Sequence, residues 1–289
     1  MLAPKFWYPE NNEISFSSLA LVPFGHIYSL LSKLRMSKAV KKQFDIPIVC
    51  IGNLNAGGTG KTPTTISAAE FLKDRKYNVH IVSRGYGGTA MGPLSVNDQE
   101  HSADEVGDEA LMLSAFAPTW VATKRSDGIQ SAIKEGADII LLDDGFQDPS
   151  VYKDLSILTV HAKKGFGNNR CIPAGPLREK LSSGLERADV LISIGTETSQ
   201  KTFKSIYKNY INMPLGIANL EVLNTGLSLE NMKVLAFAGI AHPENFFDTL
   251  RAQGAEIVDY QALADHQKLS STIMKRLIVS ARAENAQPS

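Results

Sequence analysis

Short apolar runs rich in β-branched residues alternate with stretches of helical spacing through most of the chain. Between residues 46 and 194, the runs that predict strands are Ile46–Ile51, Val79–Val82, Thr119–Ala122, Ile139–Leu142, Ser156–Val160 and Val190–Ile194. Helical spacing fills the gaps at Pro63–Arg75, 107–116 and 126–136. Because these strands are apolar at nearly every position, both faces of their sheet must be covered. The pattern therefore predicts an α/β fold built on a parallel sheet with helices on both faces.

The alternation weakens over residues 196–230, which are polar and weakly periodic and therefore predict a linker. Two further strand–helix pairs follow between Lys233 and Ala283. We expect a core domain at 43–195 and a smaller C-terminal α/β domain at 231–289.

Composition excludes several classes of protein. The 289 residues carry 30 basic and 30 acidic side chains, so the formal net charge is zero, whereas chains built to bind nucleic acid are strongly basic. Two cysteines, Cys50 and Cys171, are too few for a disulfide framework or a cysteine-rich zinc site, and they fit a reducing compartment. An apolar fraction of 43% supplies a real core, which argues against a disordered chain.

Residues 1–42 differ from the rest of the chain in charge and pattern. They hold six basic side chains against two acidic ones, and five of the bases lie between Lys33 and Lys42. The apolar stretch before them, Ile14–Leu31, is interrupted by Pro23 and Gly25, whereas a spanning helix needs about 20 nearly uninterrupted apolar residues. The pattern predicts a helix that lies on a surface, which is either its own domain or an anionic inner leaflet.

A glycine-rich loop connects the first predicted strand to the first predicted helix. Its residues are Gly57-Gly58-Thr59-Gly60-Lys61-Thr62. Glycines allow main-chain N–H groups to turn inward around phosphate oxygens, the lysine reaches the β- and γ-phosphates, and the next hydroxyl binds Mg²⁺. Asn55 stands where the general consensus has its first glycine. The strand–loop–helix context predicts a P-loop NTPase-like fold.

A second chemical signal is the strand Ile139–Leu142, which runs directly into Asp143 and Asp144. Carboxylates at the carboxyl end of a parallel strand lie beside the phosphate loop of a neighbouring strand, where they hold Mg²⁺ directly or through water. A strand-end pair that caps a turn is the structural alternative. Arg84, in a glycine-flanked turn, can reach phosphate, and Arg125 can do the same or form a surface salt bridge.

Motifs between residues 50 and 270 carry a resemblance. In chain order they are Gly52-Asn53, Gly57–Pro63, Ser83–Gly88, Gly107–Glu109, Arg125–Asp127, Asp143–Gln147, Ile172–Glu179, Ala238–Phe247 and Ala264–Gln267. With this ordered set the chain resembles the tetraacyldisaccharide 4'-kinases, which phosphorylate the lipid A precursor, and in which the Asn55 departure is ordinary. The resemblance implies an ATP- and Mg²⁺-dependent kinase acting on the 4'-hydroxyl of a tetraacyldisaccharide 1-phosphate. It also implies a membrane-surface protein at the cytoplasmic face of the bacterial inner membrane, for which we expect a monomer without a nucleic-acid partner.

The resemblance assigns roles to individual residues. Phosphate contacts fall to Lys61, Arg84 and Arg125, and the Mg²⁺ shell falls to Thr62, Asp143, Asp144 and Glu179. Asp108 would take the proton from the sugar hydroxyl, supported by His266 from the smaller domain. Phosphoryl transfer needs positioning and charge neutralisation more than covalent chemistry, and this set supplies both.

Two departures from the family stand beside this prediction. Asp148 occupies the position where the family usually has histidine, and the chain ends at Ser289, before a Thr-Glu-Lys-Asp segment that the family normally contains. We therefore expect a C-terminally truncated family member, and an inactive remnant of the kinase is one alternative.

The other alternative is a nucleotide switch. A partitioning ATPase typically has a second lysine early in the phosphate loop, where this chain has Ala56. A GTPase has an Asn/Thr-Lys-x-Asp motif, and residues 123–127 contain one residue too many.

Overall fold

The structure, a computed structural model, describes residues 3–9, 15–222, 228–239, 243–263, 269–283 and 287–288. Its helices are α1 (Phe16–Lys38), α2 (Lys61–Asp74), α3 (Ala103–Val106), α4 (Asp108–Ser114), α5 (Arg125–Lys134), α6 (Leu181–Glu186), α7 (Glu197–Tyr207), α8 (Pro243–Ala252) and α9 (Ser271–Ala283). Its strands are β1 (Ile48–Gly52), β2 (Val79–Ser83), β3 (Leu94–Ser95), β4 (Thr119–Val121), β5 (Ile139–Asp143), β6 (Leu155–His161), β7 (Val190–Ile194), β8 (Leu215–Ala218), β9 (Lys233–Ala238), β10 (Glu256–Ala262) and β11 (Gln287–Pro288).

The chain divides into two compact units, Pro4–Leu220 and Glu221–Ser289. The larger unit contains an eight-stranded sheet in the order β3-β4-β2-β5-β1-β6-β7-β8. All neighbouring strands in it are parallel except the short β3, which pairs with β4 in the antiparallel sense. β1 and β5 are adjacent, so the glycine loop and the Asp143–Asp144 pair leave the sheet at the same edge.

Both faces of this sheet are covered by helices, as β5 shows. Ile140 and Leu142 pack in an apolar cluster with side chains of α5 and α7. Ile139 and Leu141 point to the other face and pack with side chains of α2 and α4. Alternate residues of one strand are thus buried on opposite sides, which explains why the strand is apolar throughout. The predicted fold class is confirmed.

The structure differs from the linker predicted at 196–230. α7 and β8 lie within this range, and β8 extends the main sheet by pairing with β7. Gln200, Phe203 and Tyr207 form the buried side of α7, and the rings of Phe203 and Tyr207 lie 6.1 and 5.0 Å from that of Phe166. The many lysines, serines and threonines on the exposed side of α7 conceal this spacing in the sequence.

The predicted helix at 107–116 corresponds to α4, and Gly107 separates it from the short α3. This residue adopts a left-handed φ of 87°, and a Cβ there would lie 2.5 Å from the carbonyl oxygen of Tyr86. A Cβ on Gly88 would lie 2.5 Å from a carbonyl oxygen of α3. The two glycine-containing turns therefore pack backbone against backbone, which places Asp108 at the start of α4, next to the turn that follows β2.

The smaller unit has a three-stranded parallel sheet in the order β10-β9-β11. Val234 and Ala236 of β9 pack with Phe247 of α8, and Leu235 packs with Leu277 of α9. This unit is also an α/β structure with helices on both faces of its sheet, as the sequence predicts.

α1 packs on the larger unit through its small residues. Ser18, Gly25 and Ser29 are buried, and the Ser18 hydroxyl donates to the carbonyl of Ala174 at 2.7 Å. A Cβ on Gly25 would lie 2.9 Å from the carbonyl oxygen of Cys171, so glycine allows the close approach. Of the helices described, none combines the length and apolar character needed to cross a membrane.

Burial of His80 on β2 leads to a testable pH dependence. Its ring is 4% exposed, Nδ1 accepts a hydrogen bond from the Trp120 indole at 3.2 Å, and burial lowers the pKa of the imidazole. As the pH falls, the imidazole binds a proton in the unfolded chain near pH 6.5 and in the folded chain only at lower pH. The contribution of neutral, buried His80 to stability is therefore complete above about pH 6.5 and is progressively lost below it. We expect His80→Gln to flatten the fall in unfolding free energy between about pH 7 and 5, measured by urea titration. An unchanged slope would show that another group causes the fall.

Candidate active site

The loop between β1 and α2 is held closed by hydrogen bonds from the residue at its start, Asn53. Asn53 Nδ2 donates to the carbonyl of Gly57 at 3.2 Å and to Thr59 Oγ1 at 2.9 Å. Thr59 Oγ1 also lies 2.9 Å from Thr159 Oγ1 on β6. Gly60 has a left-handed φ of 85°, and a Cβ there would lie 2.4 Å from a side-chain carbon of β7. These contacts hold the loop in one shape up to the first residue of α2.

The loop leaves open space beside its glycines and is anchored elsewhere by Asn55. A Cβ built on Gly57 or Gly58 meets no atom within 4 Å, so phosphate oxygens can approach the main chain there. The Asn55 amide donates instead to the carbonyl of Gly165 at 3.1 Å and to the Tyr8 hydroxyl at 3.3 Å. Asn55 therefore fixes the base of the loop, and its direct contact with a nucleotide stays a prediction.

Asp144 lies between two cationic side chains. Lys61 Nζ is 3.8 Å from Asp144 Oδ1, and Arg178 NH1 donates to both carboxylate oxygens at 2.9 and 3.0 Å. Burial opposes ionisation of this carboxyl, but the neighbouring ammonium and guanidinium groups hold its pKa below the ordinary value. The structure thus brings together the lysine of the loop and the second aspartate of the pair, as predicted.

Asp143 is more deeply buried than Asp144 and has the opposite electrostatic environment. The Ser83 and Thr65 hydroxyls donate to its two oxygens at 3.4 and 3.5 Å. Burial, together with neighbouring carboxylates of which Glu109 has the largest effect, raises the pKa of Asp143 to about 7. Glu109 also accepts a hydrogen bond from the Thr62 hydroxyl at 3.4 Å. Glu109 therefore belongs to the site, although the sequence analysis chose its neighbour in the Gly-Asp-Glu motif.

Glu179 is held by a guanidinium group at the border of the site. Both its oxygens accept from Arg187 NH2, at 2.7 and 2.6 Å, and Oε1 accepts from Gln147 Nε2 at 3.1 Å. Gln147 Oε1 in turn accepts from Arg178 at 3.4 Å. Glu179 is thus connected to Asp144 through Gln147 and Arg178, and its coordination of a metal stays a prediction that requires release from Arg187.

Arg125 is buried and already has protein partners. Its NH1 donates to Asp148 Oδ2 at 3.1 Å, and its NH2 donates to the carbonyl of Asp144 at 2.9 Å. The predicted salt bridge is present with Asp148 as its partner, although it is largely buried rather than on the surface, and the predicted phosphate contact stays a prediction.

Two further predicted site residues lie at the surface of the larger unit. Arg84 is exposed in the turn after β2, and Asp108 is exposed in the first turn of α4. His266 lies outside the described residues, so its proposed pairing with Asp108 stays a prediction.

Comparison with known proteins decides the family. The profile of the family described as Tetraacyldisaccharide-1-P 4'-kinase matches residues 17–288. The chain belongs to this family. It is 48% identical to the tetraacyldisaccharide 4'-kinase of Jannaschia sp. (strain CCS1), covering 99% of this chain and 87% of the relative. The corresponding protein of Dinoroseobacter shibae is 45% identical over 99% of this chain and 86% of its own length.

A solved structure with the same fold agrees with this assignment. The crystal structure of LpxK from Aquifex aeolicus in complex with ATP has a TM-score of 0.70 and 25% sequence identity, covering 89% of this chain and 84% of that one. Family membership confirms the resemblance drawn from the motifs, and with it the prediction that the protein is a tetraacyldisaccharide 4'-kinase-type phosphotransferase.

The residues of this family member fit a nucleotide with Mg²⁺. The described residues contain no group of three or more His, Cys, Asp or Glu side chains that would hold a metal by themselves. Mg²⁺ in phosphoryl-transfer sites is usually bound through one or two carboxylates together with phosphate oxygens and water. Thr62, Asp143 and Asp144 supply that partial set of oxygen ligands beside the open loop, so the site suits a metal that arrives with phosphate.

Two residues of this kinase site were missed by sequence reasoning. Glu109 is adjacent to the chosen Asp108, and the motif alone does not show which carboxylate faces Thr62. Arg178 lies in the Pro-Leu-Arg-Glu segment, where the following Glu179 was chosen. Charge balance was the available signal, because Asp143 and Asp144 need cationic partners in addition to Lys61.

Proposed function

We propose that this chain transfers the γ-phosphoryl group of ATP to the 4'-hydroxyl of a tetraacyldisaccharide 1-phosphate, the lipid A precursor. The observation that carries the proposal is the closed glycine loop, which ends in Lys61 beside the carboxylate of Asp144 at 3.8 Å, in a member of the tetraacyldisaccharide-1-P 4'-kinase family. The ATP complex of the related LpxK supports ATP as the donor.

In this proposal the loop and its lysine bind the triphosphate. Main-chain N–H groups of Gly57–Gly60 and the start of α2 face the phosphate oxygens, and Lys61 neutralises charge on the γ-phosphate. Thr62, Asp143 and Asp144 hold Mg²⁺, which would screen the charge of the β- and γ-phosphates when bound.

The acceptor hydroxyl is activated by a carboxylate. Asp108 takes the proton of the 4'-hydroxyl, supported by His266, while the 4'-oxygen bonds to the γ-phosphorus and the bond to the ADP oxygen breaks.

We also propose that the chain acts at the cytoplasmic face of the inner membrane, docked through α1. With its small residues packed inward, α1 turns large apolar side chains outward, and these form the α1 apolar face: Phe16, Leu19, Phe24, Ile27, Leu30, Leu31 and Leu34. The bases between Lys33 and Lys42 follow this face directly. Anionic lipid attracts such bases with about 1 kcal/mol each, and the apolar side chains are suited to the region beneath the headgroups.

Membrane docking predicts a large effect of charge on the α1 apolar face. Ile27 and Leu31 are 57% and 61% exposed, so their replacement removes little packing within the protein. Because burying each such side chain contributes about 1.5–3 kcal/mol, we expect Ile27→Asp with Leu31→Asp to weaken binding to phosphatidylglycerol vesicles at least about 100-fold in flotation. Ile206→Asp, at a 57% exposed site on α7, is the matched control and should bind as the wild type does. Equal binding by all three proteins would refute docking through α1.

Transfer itself is tested with the purified 289-residue chain, γ-labelled ATP, and the acylated 1-phosphorylated glucosamine disaccharide in mixed micelles. Label on the lipid supports the kinase. ATP hydrolysis without labelled lipid supports a nucleotide switch instead, and the absence of both reactions supports an inactive remnant.

A further inference from the structure

Asp148 is a partly buried acid that the proposed reaction does not use, and its two oxygens have separate partners. Oδ1 accepts hydrogen bonds from the amide and the hydroxyl of Ser150, at 2.9 and 2.6 Å, and so closes a turn. Oδ2 accepts from Arg125 NH1 at 3.1 Å, with side chains 16% and 8% exposed respectively. The hydrogen bonds to Ser150 and the nearby Arg125 charge outweigh burial and lower the pKa of Asp148, so the carboxylate is charged.

The second terminal nitrogen of the Arg125 guanidinium, NH2, donates to the main chain at the end of β5. Arg125 NH2 donates to the carbonyl of Asp144 at 2.9 Å and lies 3.5 Å from that of Asp143. Asp144 has a φ of 48°, a left-handed conformation that costs a residue with a side chain about 1–2 kcal/mol. Its amide donates to the carbonyl of Ile51 at 3.0 Å. This strained residue is therefore held from both sides, by β1 at its amide and by Arg125 at its carbonyl.

The backbone of Asp144 decides where its carboxylate points. With this left-handed turn, the carboxylate faces Lys61 and Arg178 at the mouth of the phosphate loop. We propose that Asp148 is a positioning residue: through Arg125 it fixes the left-handed turn at Asp144 and so aims the Asp144 carboxylate at Lys61. The catalytic consequence rests on the proposed kinase function, whereas the geometric consequence does not.

In this proposal Arg125 connects Asp148 to the backbone of Asp144 and is not a phosphate ligand. Both terminal nitrogens of the guanidinium are engaged with the protein, and the residue is 6% exposed. Its Nε has no hydrogen-bond partner among the described residues, but the guanidinium is buried, so a phosphate contact through the terminal nitrogens would compete with Asp148 and the carbonyl of Asp144. A buried guanidinium separated from its carboxylate would be strongly disfavoured.

Asp148→Asn tests the inference because it separates the two oxygens. The asparagine Oδ1 can still accept from Ser150, while the charge that faces Arg125 is lost. We expect kcat to fall about 10–100-fold, the usual effect of removing a residue that orients a ligand, with KM for ATP changed less than about threefold. Ser150→Ala is the matched control: it removes a turn hydrogen bond, leaves the Arg125–Asp148 pair, and should keep kcat near the wild-type value.

Chemical rescue provides a second readout that loss of stability alone would not produce. Arg125→Ala leaves a space bordered by the Asp148 carboxylate and the Asp144 carbonyl, which free guanidinium ion fits by charge and hydrogen bonding. Millimolar guanidinium should restore activity to Arg125→Ala but not to Arg125→Ala with Asp148→Asn. Equal rescue of both proteins, or wild-type kcat in Asp148→Asn, would overturn the inference. A large rise in KM for ATP without loss of kcat in Asp148→Asn would also overturn the inference, and it would identify Arg125 as a phosphate ligand.

Nucleotide-free crystal structures decide the geometry even if the chain proves not to be a kinase. In Asp148→Asn, we expect the Asp144 carboxylate to move by about 1 Å or more relative to Lys61, a displacement large enough to matter for catalysis. An unmoved Asp144 contradicts the inference, whatever the activity. Absence of transfer by the wild-type protein contradicts the proposed function and leaves this measurement valid.

Discussion

Replacing Lys61 with alanine is expected to lower kcat for phosphoryl transfer by about 10³-fold or more, a loss typical of removing a charge that faces the transition state. Lys61 is 8% exposed at the first position of α2, and its ammonium lies 3.8 Å from Asp144. The alanine also leaves the Asp144 carboxylate with one fewer cation beside it. The measurement is single-turnover transfer of label from ATP to the lipid acceptor at saturating ATP.

The matched control for Lys61→Ala lies on the same helix. Lys73 is exposed near the end of α2, and its ammonium donates to the carbonyl of Phe116 at 2.7 Å, away from the glycine loop. Lys73→Ala should therefore keep transfer within about twofold of the wild type, as expected for a surface substitution. Full activity in Lys61→Ala would remove the argument that the glycine loop binds the transferred phosphate.

The sequence predicted the centre of the site because its signals are local. A strand, a glycine loop and a helix follow one another directly between Ile48 and Asp74, and the order of strands in a parallel sheet brings Asp143 and Asp144 to the same edge. The position of the glycine loop relative to the two aspartates then follows from how parallel strands are connected and from the burial of both faces of their sheet. The same locality allowed the fold class to be predicted from the alternation of apolar runs and helical spacing.

The partners of charged side chains were not predictable in this way. The sequence suggested phosphate or a salt bridge for Arg125 and metal for Glu179, but it did not show that their protein partners are Asp148 and Arg187. An ion pair forms between residues that the fold brings together, at separations of 23 and 8 residues here, and spacing along the chain does not encode that meeting. Similarly, α7 was interpreted as linker because its exposed side is polar, although three of its residues are buried.

Asp144→Asn is expected to lower kcat about 10²–10³-fold, because the carboxylate that faces Lys61 is replaced by a neutral amide in a site that works by charge placement. Arg178 and Lys61 would lose their shared counter-ion, so they would repel each other across the asparagine. If Asp144 is also a Mg²⁺ ligand, metal affinity must fall with it. Mn²⁺ binding in the presence of a non-hydrolysable ATP analogue, followed by electron paramagnetic resonance, should weaken at least about 10-fold.

Asp189→Asn separates this effect from the loss of a hydrogen-bonded carboxylate elsewhere on the sheet. Asp189 Oδ2 accepts a hydrogen bond from the amide of Ser156 at 2.7 Å, at the start of β6 and so at the opposite edge of the sheet from the glycine loop. The same chemical change there should lower the unfolding free energy by no more than about 1.5 kcal/mol while leaving Mn²⁺ affinity and kcat unchanged. If Asp144→Asn loses stability but retains metal affinity and turnover, Asp144 is a structural counter-ion for Lys61 and Arg178, and the Mg²⁺ shell must be sought among Asp143, Glu109 and Glu179.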